Sequence, residues 1–209
     1  MRISSLALGA YQTNCYILFE EQGKEAIVID PGFEPEKILD RLKKNELAIR
    51  YIVVTHGHGD HIGAIPELKK AFPQAKVLVH ALEQHRLSDP RSSLICLMGS
   101  QAIMTADQYV EEDEVISLGN LHLKVLFTPG HTEGGISLLG DGCVFAGDTL
   151  FQGSVGRTDL QGGRFEDLEK SIRNKLYALP DETVVYPGHG PQTTIGEEKK
   201  FNAFFNEKM

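Results

Sequence analysis

The sequence predicts an α/β fold in which two packed β-sheets are covered by helices on their outer faces, an αββα sandwich. Short apolar, β-branched runs that are typical of strands alternate with glycine-rich turns and with a few amphipathic stretches of helical spacing. The strands come in groups with helices interspersed, which favours two layers of sheet between helices. No linker or shift in composition divides the chain, so we expect one domain over residues 1–209.

The predicted strands are apolar runs that end at turn residues. In the first half of the chain they are residues 3–8, 15–19, 26–29, 51–54 and 76–79. In the second half they are residues 115–118, 122–127, 136–139, 144–146 and 183–186. Apolar residues at helical spacing predict helices over residues 35–45, 62–72, 165–179 and 196–206. In the first of these helices Ile38, Leu39 and Leu42 share one face.

The composition is that of an ordinary globular protein, with 41% hydrophobic and 24% charged residues. A net charge of −8 without a run of Lys or Arg disfavours a nucleic-acid partner. No apolar stretch is long enough to cross a bilayer, and polar residues interrupt the N-terminal apolar run, unlike in a signal peptide. The three cysteines have wide, unpatterned spacing, which indicates reduced thiols. We therefore expect a cytoplasmic protein without a membrane partner; the oligomeric state stays open.

The segment 56–61, with the sequence His-Gly-His-Gly-Asp-His, is the most informative motif. It follows the apolar run 51–54, a predicted buried strand that would hold the loop in a defined place. Imidazoles and carboxylates bind divalent ions such as zinc, iron or manganese, and without an ion they would be buried unpaired. A polar surface loop is the alternative, but the preceding strand favours a metal site.

Four apolar runs end on a potential metal ligand, usually beside glycine. These ligands are His56, His131, Asp148 and His189. Because strand ends hold loops rigidly, we expect the four ends to converge on one metal centre.

These motifs, preceded by Asp30 after an early strand, resemble in order the five motifs of the metallo-β-lactamase fold superfamily, over nearly the whole chain. The resemblance implies two divalent ions and a role for Asp30 in orienting a ligand imidazole. The implied ligands are His56, His58 and His131 for one ion and Asp60, His61 and His189 for the other, with Asp148 bridging the pair. Simple alternation along the loop would instead group Asp60 with His56 and His58. Zinc is the expected ion, and iron and manganese are alternatives because the same donors accept all three.

Residues 147–159 and 189–199 are similar to the short bacterial members of the hydroxyacylglutathione hydrolases, the glyoxalase II group. This similarity implies cleavage of a small-molecule thioester, possibly glutathione-based, such as S-lactoylglutathione to lactate and glutathione. Only 20 residues (209 − 189) follow His189, too few for the helical glutathione-binding domain of the longer enzymes. We therefore expect that domain to be absent.

Some positions depart from the pattern of this group. Pro191 stands where the longer enzymes have a tyrosine that contacts glutathione. Glu133, Gln161 and Ala203 stand where related sequences often carry proline. These departures bear on the substrate rather than on metal binding.

The implied reaction is attack on the thioester by a metal-bridging hydroxide. Two ions about 3.5–4 Å apart lower the pKa of a bound water from about 15.7 toward about 7. Asp60 is the candidate catalytic residue, because it would orient the hydroxide as well as bind metal. A thiol leaving group, with a pKa near about 8.5, departs without a strong general acid, which favours a thioester over an amide. The absence of a Gly-x-Ser-x-Gly motif disfavours a covalent route.

Arg157 is the candidate partner for a substrate carboxylate, because it lies where the longer hydrolases place a lysine that contacts glutathione. The alternative is a surface salt bridge with Asp159 or Glu166. The apolar segment from Leu94 to Met104 is open to three interpretations: a lid that faces the substrate, a subunit contact or ordinary core.

Other functions stay open on the sequence. The persulfide dioxygenases share the histidine loop and the Gly-Arg-Thr-Asp segment 156–159, but use a single iron; the sequence after residue 187 favours the hydrolases. A lactone or other ester hydrolase is chemically feasible. A β-lactamase is disfavoured because the best-known zinc β-lactamases have cysteine where this chain has Asp148. A non-catalytic protein is disfavoured because all implied ligands are present.

Overall fold

In the computed structural model, which describes residues 1–206, two six-stranded mixed sheets pack face to face. The strands of the first sheet lie side by side in chain order: β1 (Arg2–Leu8), β2 (Thr13–Phe19), β3 (Glu25–Ile29), β4 (Ala48–Val53), β5 (Lys76–Val79) and β6 (Gln108–Tyr109). The strands of the second sheet are β7 (Val115–Leu118), β8 (Leu121–Phe127), β9 (Ile136–Gly140), β10 (Cys143–Gly147), β13 (Val184–Pro187) and β14 (Thr193–Thr194). Their spatial order is β14-β13-β10-β9-β8-β7, and a small hairpin is formed by β11 (Leu150–Phe151) and β12 (Ser154–Val155).

Successive side chains of each strand point to opposite faces of its sheet, so each sheet packs against the other sheet on one face and against helices on the other. In β3, Ile27 and Ile29 face the second sheet, whereas Val28 faces the helices on the outside. Period-two alternation of apolar residues on both faces is what a strand between two apolar layers requires. The second sheet does the same, with Phe145 facing the first sheet and Val144 facing outward. The predicted αββα sandwich is confirmed.

Six α-helices are present in residues 1–206: α1 (Pro35–Lys44), α2 (Gly59–Ile62), α3 (Ile65–Ala71), α4 (Gln84–Ser88), α5 (Phe165–Ser171) and α6 (Ile195–Phe201). α1 and α3 cover the first sheet, and α5 and α6 cover the second. The helix predicted over residues 62–72 begins later, at Ile65, with Pro66 in its first turn, because proline favours that position. The helix predicted over residues 165–179 changes to a π-helix at Ile172, and the last helix ends at Phe201.

Parallel pairing aligns the strand ends that carry the candidate ligands. β3 pairs in parallel with β4, and β10 pairs in parallel with β13. Parallel neighbours end at the same edge of a sheet, so the residues after them lie close together. β8 runs in the same direction as β10, since both are antiparallel to β9, so the loop after β8 lies at the same edge of the second sheet. This arrangement positions the candidate site.

No helix in residues 1–206 is long and apolar enough to cross a membrane. All three cysteines are free thiols, and Cys15 and Cys143 are buried in the core.

Candidate metal centre

The histidine-rich loop and the distant strand ends meet at one site. The predicted ligands form two neighbouring triads, each with its donor atoms within 4.8 Å of one another. The triads are His56, His58 and His131, and Asp60, His61 and His189. Asp148 lies between them: its Oδ2 is 3.6 Å from His131 Nε2 and 3.5 Å from His189 Nε2. The structure therefore brings together every residue that the sequence predicts to bind metal.

Helix α2 decides to which triad Asp60 belongs. The backbone is extended at His58 and becomes helical at Gly59, so the loop does not keep a simple alternation of sides. Asp60 Oδ2 lies 3.5 Å from His61 Nε2 and 3.1 Å from His189 Nε2. Asp60 therefore lies beside His61 and His189, the two histidines with which the family resemblance groups it.

Hydrogen bonds orient the imidazoles of the first triad. The Thr55 hydroxyl donates to Asp30 Oδ2 (2.6 Å), so it is available to accept from His56 Nδ1, 3.2 Å away. His131 Nδ1 donates to the carbonyl oxygen of Arg157 (2.8 Å). In both rings the proton on Nδ1 leaves a lone pair on Nε2, the form that binds metal.

The donor atoms of this site fit a bound cation. His56 Nε2 and Asp148 Oδ1 are buried and have no hydrogen-bond partner in the part of the chain that the structure describes. His58 Nδ1 is 3.0 Å from His131 Nε2. Leaving buried polar atoms unpaired is costly, and a divalent ion satisfies both a lone pair on imidazole and a carboxylate oxygen. The residues present therefore fit a metal ion.

The second triad is oriented from behind by other residues. His61 Nδ1 donates to Asp30 Oδ2 (3.0 Å), and His189 Nδ1 donates to the carbonyl oxygen of Tyr11 (3.1 Å). Asp30 also lies close enough to His56 and His61 to form a third group. Its oxygens are occupied, however, because Oδ1 accepts from the Thr55 N–H (2.7 Å) and Oδ2 accepts from His61 and Thr55. This position supports the predicted orienting role of Asp30.

Strand β2 holds the His189 loop against the first sheet. The Asn14 N–H donates to the Gly188 carbonyl (2.7 Å), and the Tyr16 hydroxyl donates to the Pro187 carbonyl (2.7 Å). At Gly188 the backbone approaches the site so closely that a Cβ atom would lie 2.1 Å from Asp148 Oδ1. Only glycine is compatible with that approach, which explains the glycine before the last histidine.

The electrostatics favour the metal-binding forms of His56, His58 and the two carboxylates Asp60 and Asp148. Burial lowers the pKa of His56 well below its usual range and that of His58 to about 3, so both imidazoles are neutral at pH 7. Burial raises the pKa of Asp148, but the neighbouring imidazoles, His61 foremost, lower it overall. The balance is the same at Asp60, whose carboxyl pKa is also lowered. Burial lowers the pKa of His61 and His189, but the carboxylates of Asp60 and Asp148 raise both overall, that of His61 well above its usual range. Because neutral imidazoles and ionised carboxylates are the species that bind divalent ions, a metal ion would replace a proton on His61 and His189.

A cavity of about 340 Å³ opens above both triads. Its lining includes the candidate ligands His58, Asp60, His131, Asp148 and His189. A concave site of this size with converging polar groups is typical of a small-molecule site. The bottom of the cavity is therefore the place where a reacting group would meet the metal centre.

Arg157 lines this cavity, and it is also paired with Asp159. Both contacts of the guanidinium with the Asp159 carboxylate measure 2.7 Å. Of the two partners that the sequence left open for a salt bridge, Asp159 is the one that the structure shows.

The segment from Leu94 to Met104 is divided: Ile95 and Met104 are buried, whereas Leu94, Leu97 and Met98 line the cavity.

A buried carboxylate, that of Glu83, joins the two loops of the first triad. Its Oε2 accepts from the Gly57 N–H and its Oε1 accepts from the Gly134 N–H, both at 2.8 Å. The Glu83 side chain is fully buried. The two peptide groups lie in the loops that carry His56, His58 and His131. Glu83 therefore fixes the distance between these loops.

Arg86 extends this network to Glu133 and to Gln161, the residue after Leu160 of the cavity lining. Its guanidinium, 1% exposed, lies 3.3 Å from Glu83 and donates to Glu133 Oε2 (2.6 Å) and to the Gln161 carbonyl (2.7 Å). Glu83 and Arg86 do not stand out in the sequence, because two charged residues three apart on a short helical segment are typical of a solvated surface. The one hint in the sequence is that Glu133 and Gln161, which contact Arg86, stand where related sequences often carry proline.

Comparison with known proteins places the chain in a family. Residues 8–189 match the family model described as the metallo-beta-lactamase superfamily. The chain is 35% identical to the protein named hydroxyacylglutathione hydrolase GloC of Haemophilus influenzae, over 100% of both chains.

Solved structures agree with this match. The chain superposes on a protein named BLEG-1 B3 metallo-beta-lactamase with a TM-score of 0.91 and 38% identity, covering 97% of this chain and 99% of the other. It also superposes on TTHA1623 in a di-iron-bound form (TM-score 0.85, 35% identity, 97% and 100% covered). A third match is ETHE1 from Myxococcus xanthus (TM-score 0.83, 32% identity, 97% and 84% covered).

The fold, the two triads with Asp148 between them and these matches lead to one conclusion. The chain belongs to the metallo-β-lactamase superfamily.

Proposed function

We propose that this protein is a two-metal hydrolase of thioesters, with S-lactoylglutathione as its first candidate substrate. The observation that carries the proposal is the pair of triads that share Asp148 at the bottom of one cavity. The similarity to the protein named GloC supports a hydroxyacylglutathione thioester as the substrate class.

Seven residues would hold the ions. His56, His58 and His131 would bind the first ion, Asp60, His61 and His189 the second, and Asp148 both. When bound, the ions supply Lewis acidity and lower the pKa of water toward about 7. Zinc is the expected ion, and the match to a di-iron-bound protein supports iron as the alternative.

Asp60 is the proposed catalytic residue. Its carboxylate lines the cavity, and its Oδ2 accepts a hydrogen bond from Thr13 Oγ1 (3.0 Å), which fixes its orientation. Its lowered pKa keeps it ionised, so it can accept a hydrogen bond from the attacking water and hold that water toward the substrate carbonyl. The thiol departs as a thiolate, and no further proton donor is required for this step.

We expect purified protein to contain about two divalent ions per chain and to hydrolyse S-lactoylglutathione. A chelator should abolish the activity, and zinc, iron or manganese should restore it. Metal quantification on the same sample as the thioesterase assay tests this directly. One ion per chain without thioesterase activity would overturn the proposed function.

Arg157→Ala is expected to raise KM for S-lactoylglutathione several-fold and to leave kcat nearly unchanged. The reason is that a cation on the cavity wall contributes to binding of a carboxylate but does not contact the reacting atoms. Steady-state kinetics measures both constants. Arg164→Ala is the matched control, because Arg164 is similarly exposed and is paired with Asp167 away from the cavity. Equal effects of the two changes would show that Arg157 only pairs with Asp159.

Persulfide oxygenation is a second candidate. It is supported by the similarity to ETHE1 and by the segment 156–159. Oxygen consumption with glutathione persulfide, together with one iron per chain and no thioester cleavage, would establish this alternative.

β-Lactam hydrolysis is a third candidate. The aspartate at position 148 disfavours this activity, but a protein named as a B3 metallo-beta-lactamase is 38% identical over nearly the full length. Hydrolysis of a chromogenic cephalosporin, measured beside S-lactoylglutathione on the same sample, ranks the two activities.

A further inference from the structure

We propose that the cavity accepts thioesters that carry an apolar chain of a few carbons next to the reacting group. The inference rests on the proposed thioester hydrolysis and specifies the substituent that the site prefers. It follows from the residues that line the cavity above the candidate ligands.

The walls of the cavity are mostly apolar. Apart from the candidate ligands, the lining residues are Tyr11, Ser93, Leu94, Leu97, Met98, Arg157 and Leu160. Only two of these side chains, those of Ser93 and Arg157, are strongly polar. A polar substituent such as the lactoyl hydroxyl would therefore find few partners outside the metal centre.

Both polar side chains of the wall already have partners within the protein. The Ser93 hydroxyl lies 3.3 Å from the Pro90 carbonyl and 3.4 Å from the Asp89 carbonyl. The Arg157 guanidinium donates from Nε and Nη2 to the two oxygens of Asp159, so only Nη1 stays available for the proposed contact with a substrate carboxylate. The surface left for a ligand consists mainly of the leucine, methionine and tyrosine side chains.

Two apolar side chains of the wall are unusually exposed. Leu97 is 79% exposed and Tyr11 is 60% exposed. Apolar surface that is accessible inside a concave site gains free energy when an apolar ligand covers it. An apolar chain entering the cavity would cover these side chains.

The leucine-rich wall is attached directly to the histidine loop. The Gly59 N–H donates to the Ser93 carbonyl (2.7 Å), and a Cβ atom on Gly59 would lie 2.6 Å from Ile95 Cα. Leu94 has a φ of +62°, a left-handed conformation that is rare for leucine and that turns the segment into the cavity wall. The wall therefore has a defined position relative to the metal centre, as a specificity-determining surface requires.

Two series of thioesters test the inference and show on which side of the sulfur the chain binds. In the first, acetyl, butanoyl and hexanoyl groups are compared with lactoyl on glutathione. In the second, acetyl thioesters of ethanethiol, butanethiol and hexanethiol are compared. We expect kcat/KM to rise about two- to fourfold per methylene in at least one series until the cavity is filled. In parallel, calorimetry on the metal-loaded protein should show tighter binding of S-hexylglutathione than of S-methylglutathione, neither of which is cleavable.

The outcomes separate the inference from the proposed function. If S-lactoylglutathione is cleaved, and neither series nor the uncleavable ligands depend on chain length, the inference is wrong and the proposed function stands. If no thioester is cleaved by protein with both ions bound, the proposed function fails, and the assignment of the apolar chain to a thioester fails with it.

A matched pair of variants tests the wall itself. In Leu97→Asn, the rise in kcat/KM per methylene should fall to nearly onefold, because contact between a polar amide and an apolar chain gains little free energy. Ile103→Asn is the control: Ile103 is 69% exposed in the same segment but does not line this cavity. Both positions are exposed, so neither change should affect folding. The role of Leu97 would be overturned if both variants lost the dependence of kcat/KM on chain length equally, or if both kept it.

Discussion

Replacing Asp148 by alanine is expected to abolish thioester hydrolysis and to reduce the bound metal to one ion per chain or fewer. Asp148 lies among the imidazoles of both triads with its side chain only 11% exposed, and its Oδ1 is 3.5 Å from His61 Nε2. Its loss removes the negative charge that both ions would share and leaves neutral donors on either side. The activity should fall by more than the about 10- to 100-fold that loss of an outer partner of a metal site costs.

Metal quantification and thioesterase kinetics on the same sample of Asp148→Ala test this prediction. Asp148→Asn keeps the shape of the side chain and one oxygen, so it separates the loss of charge from the loss of volume. Asp141→Ala is the control for removal of an aspartate, because Asp141 is exposed in the turn that precedes β10. Two ions per chain and normal activity in Asp148→Ala would contradict the assignment of Asp148 as the shared ligand.

Replacing Glu83 by alanine is expected to lower the free energy of unfolding by about 3–5 kcal/mol, the cost of removing one partner of a buried ion pair. Arg86 would keep Glu133, but the N–H groups of Gly57 and Gly134 would both lose their acceptor. Since these N–H groups belong to the two loops of the first triad, affinity for one ion should fall as well. Urea unfolding of the metal-bound protein and a metal titration measure the two effects.

Two variants show whether Glu83 acts through the metal loops. Glu83→Gln keeps one acceptor oxygen and should restore part of both the stability and the metal affinity. Glu169→Ala removes a surface partner of Arg173 (2.8 Å) and should change the unfolding free energy by about 1 kcal/mol or less. A loss of stability in Glu83→Ala with unchanged affinity for both ions would show that Glu83 supports the fold without positioning the ligands.

Most of the fold followed from the sequence because its signals are local. Apolar runs of strand length, such as residues 51–54, and the shared apolar face of α1 identify their elements without knowledge of the rest of the chain. The small additions, such as the two-residue strands β6 and β14, were not predicted. Elements of this length are held by their neighbours and have no periodicity of their own.

The candidate ligands were predicted from the sequence motifs, whereas their grouping was predicted only by the family resemblance. Alternation along the loop would have placed Asp60 with His56, whereas α2 and the parallel end of β13 place it beside His61 and His189. The family resemblance anticipated this grouping, and the physical reason for it is visible only in the structure.

The sequence by itself determined the sandwich, the strand ends that carry the candidate ligands, and the family. These depend on residue type, order and short-range periodicity, which a single chain displays directly. Only the tertiary structure decided that Arg157 pairs with Asp159 and that Leu97 faces the cavity. It also decided that Glu83, paired with Arg86, connects the two loops of the first triad. Each of those facts depends on contacts between residues distant in the chain or on the direction of a side chain, and neither leaves a periodic signal in the sequence.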